Sequence, residues 1–172
     1  GREEVLFESG KNGLPEGLEF QTPDPGTDGS PMAVTLRGSR RAAVLLEAGR
    51  PPERVISSTG CQLSWSPDGS FLYWTDHGGP SGLQFFFFFS SAESPGVWLD
   101  IPGQYSHQYF PRLNASGDIL VMAASTGGHE HDTADYEIHL WRVGEADTRT
   151  ARVTFHSGND GWPDVYLRPD DR

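Results

Sequence analysis

The densest run of side chains able to do chemistry is Gly127-Gly128-His129-Glu130-His131-Asp132-Thr133-Ala134-Asp135. His129 and His131 stand two apart, so in an extended segment their rings would point the same way. Asp132 or Asp135 would then add an oxygen ligand. Imidazole with carboxylate suits zinc or another divalent transition metal, and His129, His131, Asp132 and Asp135 form the candidate metal set. The spacing is not the helical H-E-x-x-H pattern, and the sequence shows no distant third ligand. The competing reading is a polar loop in which Asp135 caps the following turn. Beyond such a metal the sequence calls for no cofactor.

Two more histidines draw attention by position. His77 follows Asp76 and precedes Gly78-Gly79, and His107 lies between Ser106 and Gln108. With His129 and His131 they make up the candidate binding residues. The competing reading is that such loop histidines face solvent or serve as hydrogen-bonded structural groups. No G-x-S-x-G elbow and no glycine-rich phosphate loop occurs.

Charge narrows the partners. Thirteen basic residues against 24 acidic ones leave a net charge of −11. A basic patch able to displace phosphate counterions is therefore missing, which argues against nucleic acid. No stretch reaches the roughly 20 apolar residues of a spanning helix. Cys61 is alone, so an internal disulfide is excluded, and a lone cysteine before a strand reads as a small buried hydrophobe. The chain opens on Gly1-Arg2-Glu3-Glu4, which is not a secretory leader.

The elements that would carry these residues are strands. Gly 21 and Pro 13 punctuate the 172 residues, and no long 3.6-residue apolar period appears. Phe85 to Phe89 form an unbroken phenylalanine run, which predicts a strand covered on both faces. Trp65-Ser66-Pro67-Asp68-Gly69 precedes the apolar stretch Phe71–Trp74. Forty-eight residues later Leu113-Asn114-Ala115-Ser116-Gly117 precedes Ile119–Met122. Each copy reads as strand, glycine turn, strand, with Gly69 and Gly117 free to take positive φ. Tyr136–Trp141 and Ala151–Phe155 read as further strands, and Trp162-Pro163 repeats Phe110-Pro111 after 52 residues. Four short strands per period of about 50 residues is the signature of a β-propeller blade. Phe71, Tyr73, Ile119, Val121, Ile138, Leu140 and Val153 are the expected alternating core positions.

The order P-x-W-S-P-D-G, apolar strand, D-x-x-I-x-L-W, R-x-T resembles the repeat of TolB-like propellers, relatives of WD-like repeats. The clearest matching stretch runs from Asp135 through Trp141, then Arg152-Val153-Thr154-Phe155 and Asn159-Asp160-Gly161-Trp162-Pro163. The second turn departs from the pattern, and Leu63 stands where Pro111 and Pro163 stand. The expected architecture is one all-β propeller-type domain over 1–172, built of about three four-stranded blades. Residues 39–172 hold the clearest repeats, and 10–38 read as an insertion or a degenerate hairpin. Gly1–Ser9 and Pro163–Leu167 read as two strands of one split blade. Three blades fit part of a larger ring, two copies completing one ring as a homodimer, or a fourth blade hidden in the insertion.

The resemblance implies a non-enzymatic scaffold that binds protein or peptide at the mouth or channel of the ring. On that reading His77 and the His129 region share one mouth and His107 lines the channel. It also implies a periplasmic or extracellular setting. The alternative is the propeller portion of a hydrolase or metal-assisted enzyme acting on peptide or glycan.

Overall fold

The computed structural model describes residues 3–29, 31–79, 82–89, 97–99, 101–128, 133–145, 150–155 and 157–168, and their side chains except at 51–53, 78–79, 82–89 and 97. Every regular element among them is a strand. Two compact units meet at the Trp65–Ser66 bond.

In the first unit β1 (Leu18–Pro25), β2 (Met32–Gly38), β3 (Ala42–Glu47) and β4 (Arg50–Ser57) form an antiparallel sheet in chain order. The two middle strands are buried almost throughout, which is why Ala42-Ala43-Val44-Leu45-Leu46 is continuously apolar rather than alternating. Leu18, Val34, Leu36, Ala42, Val44 and Leu46 make the core, with Phe7, Leu14, Phe20 and Met32 packed around it. Each fully buried leucine or valine contributes about 1.5–3 kcal/mol. β5 (Cys61–Trp65) lies against β1, β2 and β3. The Gln62 N–H donates to Thr35 Oγ1 (2.8 Å), and the Trp65 N–H donates to Asp24 Oδ2 (3.0 Å). Cys61 is buried there, the small hydrophobe its context suggested.

The second unit holds β6 (Phe71–Gly79), β7 (Gly82–Phe89), β8 (Val97–Trp98), β9 (His107–Leu113), β10 (Ile119–Ser125), β11 (Glu137–Arg142) and β12 (Ala151–Arg152). β7 carries the five phenylalanines in mid-sheet, antiparallel to β6 on one side and to β8 on the other. It also meets β9 in parallel at Leu83 and His107. β9 to β12 form a second antiparallel run. Tyr73, Ile101, Leu113, Leu120, Met122, Ala124 and Trp141 are its core.

The chain order thus gives three groups of four strands, starting at Leu18, Cys61 and His107. The segment 10–38, expected as an insertion or a degenerate hairpin, supplies β1 and β2 of the first group. The ends differ from expectation. Residues 3–9 and 163–167 form no strand, and Val5 and Tyr166 are exposed. The alternation also fails in β11, where Glu137, His139 and Trp141 are buried and Ile138 and Leu140 are only half-buried. A shift of one residue exchanges the faces of a strand, and here polar side chains take the inner face. Val153, also expected in the core, is 50% exposed.

Candidate functional site

Three hairpin turns share one backbone pattern. Gly26, Ser66 and Asn114 each donate their N–H to the carbonyl five residues on, at Pro31, Phe71 and Ile119. Gly29, Gly69 and Gly117 each donate back to the first residue's carbonyl. The three glycines have φ of 86°, 72° and 74°, a conformation that costs a Cβ-bearing residue about 1–2 kcal/mol. The side chains brace the turns in a way the sequence obscures. The Ser66 and Ser70 hydroxyls both donate to Asp68 Oδ1 at 2.7 Å. In the later turn the Ser116 hydroxyl and the Asn114 amide donate to Asp118 Oδ1. Asp68–Ser70 and Ser116–Asp118 are therefore the same pair with its ends exchanged.

These bonds stabilise the carboxylate form. Asp68 is lowered to about 2, chiefly by the Ser66 hydroxyl and then by Ser70. Asp118 is lowered by Ser116 and Asn114. A group whose folded pKa is depressed stabilises above its unfolded value and loses that contribution as pH falls through the folded one. The Asp68 contribution is thus complete above 3.8 and disappears towards pH 2. Carboxyl NMR titration is expected to place the Asp68 midpoint near 2, and an ordinary midpoint would contradict the bracing.

A polar cluster joins β11 to β12 and the residues after it. The Glu137 side chain is 5% exposed. Its Oε1 takes a short ion pair from Arg152 Nη2, and its Oε2 accepts the Thr154 hydroxyl at 2.5 Å. The Thr154 oxygen in turn accepts the Ile138 N–H at 2.9 Å, and Arg152 Nε donates to the Thr154 carbonyl at 2.7 Å. The guanidinium carbon stands 4.9 Å over the Phe155 ring. Next to this brace, the Tyr105 hydroxyl lies 3.2 Å from His139 Nδ1 and forms a short hydrogen bond with Thr150. Burial, and secondarily the Arg152 charge, pushes His139 below its usual value, so its neutral form is favoured. The Tyr105 ring reaches this position over Gly103, where an added Cβ would fall 2.2 Å from the ring. Sequence reasoning missed Glu137 and His139 because it placed them on the outer face. The R-x-T element that closes the cluster was its available signal.

The expected site residues separate. His77 is exposed, and its N–H donates to Asp76 Oδ1 at 2.7 Å while Asp76 Oδ2 accepts the buried Trp74 indole at 2.9 Å. His107 begins β9, half-buried, with Nδ1 3.0 Å from the Ser106 hydroxyl. Asp135 is exposed beside Ala134 and Tyr136. His129, His131 and Asp132 lie outside the described residues. Among the described residues no three His, Cys, Asp or Glu side chains stand close enough to share a metal ion.

A feature the sequence did not announce is a set of kinks at the repeat starts. Thr22, Gln62, Phe110 and Trp162 have φ of 49°, 56°, 54° and 51°. The first three each stand seven residues before a turn glycine, Gly29, Gly69 or Gly117. Thr22-Pro23 opposes one residue of β2 and Phe110-Pro111 one residue of β10, so both are β-bulges. Proline fits there because a bulge leaves an N–H out of the ladder. The Phe110 and Trp162 rings pack with centroids 4.3 Å apart, although Trp162 is 74% exposed. Gly161 admits this contact, since a Cβ there would press to 3.2 Å from the Phe110 ring.

No family model and no curated protein matches the sequence. Solved structures do. TolB from Acinetobacter baumannii superposes with a TM-score of 0.63 at 16% identity, over 85% of this chain and 35% of that one. The chain has the TolB-like β-propeller fold. Putative TolB from Agrobacterium tumefaciens gives 0.50 at 14% identity, over 80% of this chain and 65% of its own. A structure from a study of two prolyl endopeptidases gives 0.59 at 16%, over 90% of this chain and 25% of that one. The chain thus spans about a third and a quarter of the first and last of these.

Proposed function

We propose that the chain is a TolB-like scaffold that binds protein or peptide without chemistry of its own. The observation that supports it is a set of exposed large aromatic side chains in the segment that follows β12. The Val153 N–H donates to Ile138 and the Asp160 N–H to Tyr136, while Phe155, Trp162 and Tyr166 between and beyond them are 73%, 74% and 80% exposed. Large aromatic side chains held on a fixed backbone bury much area at little entropic cost, which is what a binding surface needs. The polar clusters described above are engaged in bracing strands and turns. Among the described residues no helix is long and apolar enough to cross a membrane. The periplasmic or extracellular setting belongs to the same proposal, as the family resemblance suggests.

Selection of a displayed library of linear peptides on the folded chain tests the reading. Enrichment is expected on the parent and not on the Phe155→Ala/Trp162→Ala/Tyr166→Ala variant. Equal enrichment on both, or none on either, would overturn it. Completion of a ring by a second copy is the related proposal from the split repeats. Sedimentation over a wide concentration range should then show a dimer, against the repulsion of two chains each at −11.

A further inference from the structure

The exposed faces of residues 162–168 alternate. Trp162, Asp164, Tyr166 and Arg168 face solvent, and Pro163, Val165 and Leu167 are half-buried. The outer face therefore reads aromatic, carboxylate, aromatic, then a cation. Trp162 is anchored from behind by Phe110 and is held at φ 51°, a conformation that bulky residues keep only where their surroundings impose it. Asp164 Oδ1 accepts the Val165 N–H at 2.8 Å, and Oδ2 has no partner among the described residues. The Tyr166 hydroxyl likewise has none.

We infer that Trp162, Asp164 and Tyr166 form a docking strip for an extended, arginine-bearing peptide. The inference rests on the scaffold reading and names its partner. Three features point to a guanidinium. Trp is the strongest aromatic partner of a cation, and a planar guanidinium stacks on a ring while its N–H groups reach a carboxylate. The chain's charge of −11 attracts cationic segments and disfavours acidic ones. The same combination already holds an arginine in this molecule, where Arg152 lies over Phe155 and pairs with Glu137.

Tryptophan fluorescence and calorimetric titration with a synthetic pentapeptide carrying arginine at alternate positions test the inference. Binding is expected to weaken about tenfold for Asp164→Asn and by more for Trp162→Ala. It should also weaken about tenfold for the peptide with citrulline in place of arginine, which keeps the shape and removes the charge. Asp164→Glu should restore part of the loss. Both altered residues are exposed, and circular dichroism confirms that each variant is folded before titration. Equal binding of citrulline and arginine peptides would overturn the assignment. So would binding unaffected by Asp164→Asn and weakened by salt alone, the mark of diffuse attraction to an acidic protein. If the displayed library enriches peptides without cationic residues, the arginine strip fails and the scaffold reading stands. If the triple variant binds library peptides as the parent does, the scaffold reading fails first.

Discussion

Gly38→Ala is expected to destabilise the first unit by about 3–5 kcal/mol, enough to unfold a domain of ordinary marginal stability. Gly38 ends β2 at φ 79°, and a Cβ there would fall 2.1 Å from the Gly17 carbonyl oxygen. That oxygen is not free to move. It accepts the Ser39 N–H at 2.9 Å, and the Ser39 hydroxyl donates at 2.5 Å to the Glu16 carbonyl beside it. Relief would need the 16–17 segment to leave β2 and break these bonds. Gly29→Ala is the control. It has φ 86° and nothing within 4 Å of its added Cβ, so it should lose only the conformational term, about 1 kcal/mol. Urea unfolding of the two variants separates clash from backbone strain, and equal losses would refute the contact at Gly17.

The second large effect is at the Glu137–Arg152 brace. Arg152→Ala should cost about 2–3 kcal/mol. It leaves the buried carboxylate with Thr154 as its one described side-chain donor, and it removes the Nε bond to the Thr154 carbonyl. Arg152 is 41% exposed, so water replaces part of the loss and the value falls below that of a fully buried pair. Replacing both partners, as Glu137→Leu/Arg152→Leu, should cost less than Arg152→Ala alone, because no charge is left stranded. Arg152→Lys restores the charge and lacks the fork that reaches Glu137 and Thr154 together, so it should recover only part. A double-mutant cycle on unfolding midpoints at constant m checks the coupling. Additive losses would show that the pair does not act as a unit.

Much of the fold was legible because turns are written in a few residue types. Ser66-Pro67-Asp68-Gly69 and Asn114-Ala115-Ser116-Gly117 gave the period, and the observed hairpins stand on those residues. The first copy escaped because Gly26-Thr27-Asp28-Gly29 shares the backbone bonds and lacks the serine and tryptophan that make the motif visible. Thr22-Pro23, seven residues before Gly29 as Phe110-Pro111 is before Gly117, was the readable clue. Asp118 was hidden by an exchange of positions, since a carboxylate at either end of the pair braces the turn equally well. β11 was misread because periodicity assigns Ile138 and Leu140 inward. A buried carboxylate with its own arginine and threonine reverses that choice, and no single-strand pattern reveals a partner fifteen residues away. The exposed strip could not be seen at all, because 163–167 looks like a strand and strandedness says nothing about what covers it.

The pairing of the strands has a kinetic consequence. β1 with β2, β2 with β3, β3 with β4, β6 with β7, β7 with β8, and β9 through β12 are all ladders between neighbours in the chain. Among the described residues only the single bridge from β7 to β9 skips a strand. Closing such hairpins fixes short loops, so little chain entropy is spent before each contact forms. Each antiparallel ladder can therefore form as soon as its own residues leave the ribosome, and longer-range contacts such as those of β5 with β1 and β2 follow. A sheet protein of this length would ordinarily be slow to fold and exposed to misassembly. Here the sequential ladders let it fold a hairpin at a time, and the phenylalanine-rich β7 is synthesised directly after the β6 that pairs with it.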